Sequence, residues 1–357
     1  MTDKISKAKI YQALQDVMHP ELKDHNLVEL KMIHDLSLGE DSILIHLALP
    51  SPEAPIKDQL IEKIQRTVQQ LAPEWTIEVQ IREMNDAQKR FFERAVKETL
   101  QVSPQPGVQV RKVLAVMSGK GGVGNSSVAG LLASSLNKRG LKVGLLDADI
   151  TGPSIPKMFG AQEPPRQGPQ GITPVPSSQG IGLMSINLLL PDKDQAVVWR
   201  GPLISRAIQQ FWSDIAWGEL DALIVDLPPG TADASLTVMQ SLPLDGVVLV
   251  TSPQGLADMV VRKAANMAAS LGINVVGLVE NMSYILCPEC GAKINVFGES
   301  KTETTAQRIG TELLGHLPLD PGFSDLCDEG KIETYQNQDF ESITDEIIRR
   351  AGLEKKS

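Results

Sequence analysis

The stretch "VMSGKGGVGNSSVAG", Val116 to Gly130, constrains the fold of this chain more than any other. An apolar strand leads into it and a helical pattern follows it. The glycine spacing of a phosphate-binding loop is present in Gly119, Lys120, Gly121, Gly122, Val123 and Gly124, followed by Asn125, Ser126 and Ser127. Such glycines let backbone N–H groups turn inward around phosphate oxygens at a helix N-terminus. The stretch predicts a nucleotide site, with the Ser126 hydroxyl available to Mg²⁺, rather than a plain glycine-rich turn.

From Lys112 onward, short apolar strands alternate with helical stretches. The strands are Val113 to Met117, Val143 to Leu146, Leu223 to Val225, Val247 to Val250 and Val275 to Val279. Strands that are apolar throughout and separated by helices are typical of a parallel sheet covered on both faces. Functional residues are then expected where the strands end.

The chain divides into three segments by composition. Residues 1–83 predict a small α/β domain with the order helix, strand, strand, helix, strand. Residues 84–108 are first charged and helical and then form a linker rich in proline and glycine, "VSPQPGVQV". Residues 109–357 form the larger domain with the phosphate loop. We interpret all five histidines as surface or turn residues: His19, His25, His34, His46 and His316.

Acidic residues follow two of the predicted strands. Asp147 and Asp149 end the second strand, and Asp226 ends the third. Carboxylates at such positions can hold the water shell of Mg²⁺ or orient an attacking water. For any one of them, the alternative is an ordinary helix N-cap. Three together at the ends of apolar strands favour the nucleotide site.

One cysteine pair has the spacing of a metal or redox motif, Cys287-Pro-Glu-Cys290-Gly. Two thiolates on a tight turn can bind one metal ion or one edge of a cluster, but zinc sites and [4Fe–4S] clusters generally need four ligands. Four interpretations are open: a cluster bridging two chains, a shared zinc site, a redox dithiol, and a turn with incidental cysteines. Cys327 has no partner at such a spacing, and we expect it to be structural.

Composition argues against several classes of protein. A net charge of −10 disfavours bulk binding to nucleic acids or anionic membranes. No apolar run reaches membrane-spanning length, and the N-terminus lacks the apolar core of a secretory signal. Three cysteines make no disulfide framework. We therefore expect a cytoplasmic protein without a nucleic-acid or membrane partner.

Several motifs carry a family resemblance. "SGKGGVGNSS" resembles the deviant phosphate loop shared by MinD, ParA, the nitrogenase iron protein and the Mrp/ApbC proteins. "LLDADITGPSIPKMFG", "WRGP", "VDLPPGTADASL" and "VENMSYILCPECG" resemble the Mrp/ApbC iron–sulfur carrier ATPases in particular. The resemblance covers roughly residues 109–335, and residues 1–83 resemble the small iron–sulfur assembly domain that often precedes them. The fold class implied is α/β, a P-loop NTPase-like, mostly parallel sheet with helices on both faces, preceded by a small α/β domain.

The resemblance also implies a function and its residues. It implies a homodimer that binds ATP and Mg²⁺ and holds a [4Fe–4S] cluster between the Cys287–Cys290 pairs of two subunits, with apo iron–sulfur proteins and cluster scaffold proteins as partners. Lys120 would reach the nucleotide of the partner subunit. Asp149 would position the attacking water with support from Asp147, and Asp226 would be the Walker B aspartate. Asn281 and Asp320 match positions that recognise the base.

Asn125 departs from the family pattern, because the family has a second lysine there. That lysine makes a charge-assisted contact worth roughly 1.5–3 kcal/mol. Its charge also stabilises the transition state, so turnover is expected to suffer more than binding. The sequence predicts a weakened nucleotide site with impaired ATP hydrolysis. Two alternative functions are a positioning ATPase of the MinD or ParA type and a nucleotide-binding scaffold without turnover.

Overall fold

The computed structural model describes residues 5–20, 25–39, 41–50, 56–89, 91–92, 108–150, 152–169, 171–190, 201–231, 233–254 and 257–354. The chain divides into two compact units, Met1–Gln101 and Val102–Ser357. Most of the predicted linker at residues 84–108 lies outside the described residues, as do Trp199 and Arg200 of the "WRGP" motif.

The first unit is a small α/β domain with the expected order of elements. These are α1 (Lys7–Leu14), β1 (Ile33–Leu38), β2 (Ser42–Leu49), α2 (Lys57–Leu71) and β3 (Thr76–Glu83). Strand β2 is central, antiparallel to β1 and parallel to β3. Helix α2 forms because Leu60, Ile64 and Val68 recur at helical spacing and are buried together against the sheet.

Two histidines of this unit correct the expectation from sequence. His19 and His46 are buried rather than on the surface, with 2% and 7% of their area exposed. Burial, together with the charge of Lys63, lowers the pKa of His19 to about 4. His46 lies within β2, and both of its neighbours in the strand are buried apolar residues. It is the one polar residue in this buried run, and no sequence pattern marked it as buried.

The second unit contains a nine-stranded sheet. Its strands are β5 (Val113–Ser118), β6 (Val143–Asp147), β9 (Val175–Pro176), β10 (Gly182–Ser185), β12 (Ala222–Asp226), β13 (Gly246–Thr251), β14 (Val275–Leu286), β15 (Lys293–Ile294) and β16 (Leu313–Pro318). Their order is β15-β14-β13-β5-β12-β6-β10-β9, with β16 also paired to β14. All pairs are parallel except β9 with β10 and β14 with β15.

Short strands form two further two-stranded sheets in this unit. β4 (Gln109–Val110) pairs with β11 (Glu219–Leu220), and β7 (Arg166–Gly168) pairs with β8 (Gly171–Thr173). The helices of the unit are α3 (Asn125–Lys138), α4 (Ile155–Met158), α5 (Gly201–Ser213), α6 (Asp233–Ser241), α7 (Ala257–Ser270), α8 (Thr302–Arg308), α9 (Pro321–Asp328) and α10 (Gln338–Ala351). Within the described ranges, no helix has the length and apolar character needed to cross a membrane.

Helices cover both faces of the large sheet. Every residue of β5 is buried, and alternate residues belong to different cores. Val113, Ala115 and Met117 pack with residues of α5 and α7, whereas Leu114 and Val116 pack with residues of α3 and α10. This two-sided burial explains why the strands are apolar throughout rather than alternating. The fold class predicted from the sequence is confirmed.

The register of the parallel strands brings their carboxyl ends together. Asp226 of β12 lies opposite Asp147 of β6 and opposite Val116 of β5. On the other side of β5, Val250 near the end of β13 lies opposite Ser118. The loops that follow β5, β6, β12 and β13 therefore meet at one edge of the sheet, which is where open α/β sheets bind ligands.

Candidate functional site

The phosphate loop runs between β5 and α3 and depends on its glycines. Gly122 and Gly124 have φ angles of 78° and 84°, in the left-handed region that disfavours side chains. A Cβ on Gly119 would lie 2.4 Å from the carbonyl oxygen of Val260 in α7, so only glycine allows that approach. Val123 is buried and fixes the loop between these turns.

The loop ends at the N-terminus of α3. Gly124 is the N-cap and Asn125 begins the helix, with Ser126 and Ser127 partly exposed in its first turn. The first N–H groups of a helix have no partner within the helix, and the helix dipole makes this end partly positive. Together with the inward-turning loop, they provide a site for the phosphates of a nucleotide.

The Asn125 side chain points into the protein, towards β12. Its Nδ2 lies 2.7 Å from Oδ1 of Asp226, 2.8 Å from the carbonyl oxygen of Leu227 and 3.0 Å from that of Val116. The two N–H bonds of this amide thus face three acceptors, while its Oδ1 has no hydrogen-bond partner. Asn125 therefore ties the start of α3 to the carboxylate that follows β12.

The predicted carboxylates lie together at the strand ends. Asp147 and Asp226 are fully buried neighbours in register. Burial, with the charge of Asp226 next, raises the pKa of Asp147 well above its usual value. Burial, partly opposed by a hydrogen bond from Ser126, raises the pKa of Asp226 to about 7. The negative charge of Asp149 also raises the pKa of both Asp147 and Asp226. Oδ1 of Asp149 accepts a hydrogen bond from the backbone N–H of Gly152.

This cluster fits a cation that arrives with a nucleotide. Oδ2 of Asp226 is buried and has no hydrogen-bond partner, so this oxygen remains available to accept a cation or one of its bound waters. Within the part of the chain that the structure describes, no three His, Cys, Asp or Glu side chains converge as a complete metal site. Mg²⁺ is usually held by one or two protein carboxylates together with substrate phosphates, and that is the kind of partial site seen here.

Lys120 lies on the partly exposed side of the loop. Its Nζ forms a hydrogen bond with Oε1 of Gln254, in the loop after β13. Its carbonyl oxygen accepts a hydrogen bond of 2.9 Å from the hydroxyl of Ser118. Gln254 was not identified from the sequence, because no motif or spacing relates it to Lys120. That Lys120 contacts the nucleotide of a partner subunit stays a prediction.

The two residues expected to recognise the base both have protein partners. Nδ2 of Asn281 donates to the carbonyl oxygen of Val123 at 3.0 Å, so Asn281 supports the phosphate loop from β14. The next residue, Met282, has a φ of 58°, one of two non-glycine residues with positive φ among those described. Asp320 is the N-cap of α9 and accepts hydrogen bonds from the N–H of Gly322 and the hydroxyl of Tyr335. Recognition of the base by Asn281 and Asp320 stays a prediction.

The cysteine pair lies on the turn between β14 and β15. The N–H of Cys287 donates to the carbonyl oxygen of Ala292 at 2.9 Å, and the N–H of Gly291 donates to that of Cys287 at 2.8 Å. Cys290 is exposed and Cys287 partly so. Hydrogen bonds from the backbone N–H groups of Cys290 and Glu289 lower the pKa of Cys287, which favours the thiolate that binds metal.

Apolar side chains surround this hairpin. Between 41% and 51% of the area of each is exposed: Leu286, Ile294, Val296 and Phe297. Adjacent exposed apolar residues are typical of a surface that contacts another protein. Cys327, by contrast, packs against the core beside α3 and α10, and burial raises its pKa to about 11. The structural role expected for Cys327 agrees with this environment.

A network of hydrogen bonds around Glu280 was not predicted from the sequence. It lies on β14, the strand that carries Asn281 and leads to Cys287. Glu280 of β14 is fully buried and accepts hydrogen bonds from Ser283, Ser300, Thr302 and Nδ1 of His316, the last at 2.9 Å. Burial alone would raise the pKa of Glu280, but these hydrogen bonds outweigh it and lower the pKa to about 2. The only sign of this network in the sequence is the glutamate that interrupts the apolar run of β14. Apart from Ser283 in β14 itself, its partners come from β16 and from the start of α8 with the segment before it, which sequence spacing does not connect.

We expect the Glu280–His316 pair to stabilise the fold at acidic pH and to lose this effect as the pH rises. The hydrogen bond to Glu280 raises the pKa of His316 above its usual 6.5. The stabilisation is therefore complete between the usual pKa of glutamate, 4.5, and that of histidine, 6.5, and it disappears as the pH rises past the pKa of His316 in the folded protein. Because 43% of the His316 side chain is exposed, screening limits the difference to about 1 kcal/mol or less.

Urea unfolding of the parent and of His316→Gln, followed at acidic and alkaline pH, measures this effect. The stability gap between the two proteins should be largest at acidic pH. A gap that stays constant, or that widens towards alkaline pH, would contradict the assignment of charge to this pair.

Comparisons with known proteins agree with both units. Residues 109–351 match the family described as ParA: NUBPL iron-transfer P-loop NTPase. Residues 7–81 match the family described as iron–sulfur cluster assembly protein. These matches correspond to the large sheet with its phosphate loop and to the small α/β domain.

Curated relatives and a solved structure extend the match. The iron–sulfur cluster carrier protein of Methanocaldococcus jannaschii is 44% identical over 253 residues, 69% of this chain and 87% of the relative. That of Escherichia coli K12 is 37% identical over 330 residues, 91% of this chain and 85% of the relative. A nucleotide-binding protein of Archaeoglobus fulgidus, solved with ADP and with cobalt, aligns with a TM-score of 0.60 and 42% identity. The alignment covers 70% of this chain and 95% of that one.

Proposed function

The chain belongs to the family of NUBPL iron-transfer P-loop NTPases, and from this premise we propose that two copies of it bind one [4Fe–4S] cluster and pass it to apo-proteins under the control of ATP. The resemblance to iron–sulfur cluster carriers with a preceding assembly domain is confirmed at the level of the family. The observation that carries the proposal is the exposed hairpin with Cys287 and Cys290.

The ligand count supports a site shared by two chains. Cys287 and Cys290 supply two thiolates, and in the described part of the chain no other His, Cys, Asp or Glu joins them in a group that could hold a metal ion. A [4Fe–4S] cluster generally takes four thiolates, so a second copy of the same hairpin completes the set. Exposed apolar residues beside the pair, such as Leu286 and Phe297, would become buried in such a contact between two copies.

The cluster is cargo in this proposal. It leaves when thiolates of the recipient replace those of Cys287 and Cys290, so that each iron–sulfur bond broken is matched by one formed and no electron is transferred. Apo iron–sulfur proteins are the recipients, and cluster scaffold proteins are the donors. Free thiols of this kind persist in a reducing compartment, and we therefore place the protein in the cytoplasm.

The nucleotide site is assigned to the residues around the phosphate loop. The loop N–H groups and the α3 N-terminus bind the phosphates of ATP. Ser126 and Asp226 hold Mg²⁺ and its water shell, and Mg²⁺ supplies positive charge against the phosphates. Asp149, supported by Asp147, orients the attacking water, and Lys120 reaches the nucleotide of the partner subunit. Asn125 supplies no charge, so the proposed hydrolysis is slow.

Metal and sulfide analysis of anaerobically reconstituted protein, paired with its mass in solution, tests the proposal. We expect about four irons and four sulfides for every two chains, and a dimer that depends on the cluster. A full cluster on a monomer would contradict the shared site. Zinc without sulfide would replace the cluster by the zinc interpretation of the same two cysteines.

A further inference from the structure

Tyr284 connects the base of the cysteine hairpin to α10 and to the residue that follows β16. Its hydroxyl donates to Oδ2 of Asp339 in α10 at 2.6 Å. Its carbonyl oxygen accepts a hydrogen bond of 2.8 Å from the N–H of Leu319, just after β16. The Nζ of Lys293 lies 4.1 Å from the centroid of its ring. Tyr284 is buried, although the turn that follows it is exposed.

Among the residues that the structure describes, the other backbone contacts of the hairpin are few and lie within the hairpin itself. Strands β14 and β15 form only two backbone pairs, Ile285 with Ile294 and Leu286 with Lys293. An isolated two-stranded hairpin is marginally stable in water. Tyr284 belongs to the strand that enters the turn and Lys293 to the strand that leaves it. The contact between their side chains therefore joins both strands to the anchor at Asp339.

The anchor has the chemistry of a durable contact. Burial and the hydrogen bond to Asp339 raise the pKa of Tyr284 to about 12, so the phenol keeps its proton at neutral pH and donates it to a carboxylate. Hydrogen bonds to charged groups are among the stronger ones in proteins. The ring beneath Lys293 adds a cation–π contact, whose strength depends on the positive charge and not on the length of the side chain.

We propose that Tyr284, held by Asp339 and covered by Lys293, is a positioning residue that sets the orientation of Cys287 and Cys290 for the cluster. The proposal rests on the function proposed above. Cys287 follows Tyr284 by three residues, about 10 Å of extended chain, so a rotation of about 10° at Tyr284 moves the thiolates by about 2 Å. Four thiolates from two hairpins bind one cluster only if both hairpins keep the same orientation.

The test compares Tyr284→Phe with the parent, and Tyr11→Phe, in the N-terminal unit, is the matched control. Since a hydrogen bond to a charged group is worth on the order of tenfold in an equilibrium constant, we expect Tyr284→Phe to lose its cluster to an iron chelator about tenfold faster. The visible circular dichroism of the bound cluster should change as well. Tyr11→Phe should match the parent in both measurements.

Lys293 provides a second pair of variants. Lys293→Arg keeps the charge over the ring and should retain the parent's rate of cluster loss and spectrum. Lys293→Gln keeps much of the length without the charge and should shift both in the direction of Tyr284→Phe. The spectrum separates positioning from stability, because a loss of stability alone would lower the temperature of thermal unfolding without changing the visible circular dichroism of the bound cluster.

Equal cluster loss and equal spectra in the parent, Tyr284→Phe and Lys293→Gln would overturn the positioning role. If the parent itself binds no cluster, the proposed function fails, and the positioning role is then decided on the apo-protein. There, hydrogen exchange at the N–H of Cys287, which is bonded to Ala292, should be faster in Tyr284→Phe than in Tyr11→Phe. Equal exchange rates would overturn the positioning role independently of the cluster.

Discussion

Replacing Asn125 by lysine is expected to raise the rate of ATP hydrolysis by at least about tenfold, the order expected for restoring one charge contact in the transition state. The rest of the site is in place around this position: the loop glycines, Ser126 and the carboxylates of Asp147 and Asp226. Asn125 instead gives its amide to Asp226 and to two backbone carbonyl oxygens. An ammonium group on a longer side chain can extend from the same position to the outer phosphates.

Phosphate release at saturating ATP and Mg²⁺, together with nucleotide titration, measures the effect on the rate and on the affinity. Affinity should rise by a smaller factor than the rate, because the added charge acts most strongly on the transition state. Asn125→Gln is the matched control, since it lengthens the side chain without adding charge, and it should stay at the level of the parent. Equally fast hydrolysis by the parent and Asn125→Lys would show that Lys120 or another group already supplies the charge.

Cluster binding should survive the change at Asn125. The cysteines lie on the turn after β14, whereas Asn125 contacts the ends of β5 and β12. Iron and sulfide contents of Asn125→Lys should therefore equal those of the parent.

The double variant Cys287→Ser, Cys290→Ser is expected to lose cluster binding completely. Serine keeps the size and the turn but is a poor ligand for iron, and the proposed site has no other thiolate in the same chain. Cys327→Ser is the matched control, and it should bind as much iron and sulfide as the parent because Cys327 packs against the core. Iron, sulfide and the visible spectrum after anaerobic reconstitution provide the measurement.

The double variant should also lose the dimer that depends on the cluster. If the cluster joins two chains, the double variant should have the mass of the cluster-free protein under the same conditions. A double variant that binds as much cluster as the parent would remove the basis of the proposed function, whatever its mass.

The sequence predicted the parts of this protein that local pattern determines. The apolar strands, the phosphate loop and the acidic strand ends follow from periodicity, glycine spacing and the placement of polar residues after buried runs. The register that sets Asp147 beside Asp226 then follows from the parallel order of the strands. Each of these features depends on residues near one another in the chain or on the general geometry of a parallel sheet.

The remaining features depend on packing between distant segments. The amide of Asn125 meets Asp226 and Leu227, about a hundred positions away, and no spacing rule connects them. The pairing of buried Glu280 with the partly exposed His316 depends in the same way on β16 lying beside β14. His19 and His46 were expected at the surface or in turns, but the first unit buries both. The amino-acid composition does not show which polar residues are buried or which distant residues they contact.

Strand β14 has a mechanical consequence. Asn281 rests on the phosphate loop through Val123, and the next residue, Met282, holds a left-handed backbone within an otherwise extended strand. For a residue with a side chain, that conformation costs roughly 1–2 kcal/mol. One strand thus joins the phosphate loop, through Asn281, to the turn that carries Cys287. Any displacement of this part of β14 would be shared by the nucleotide site and the cysteine turn.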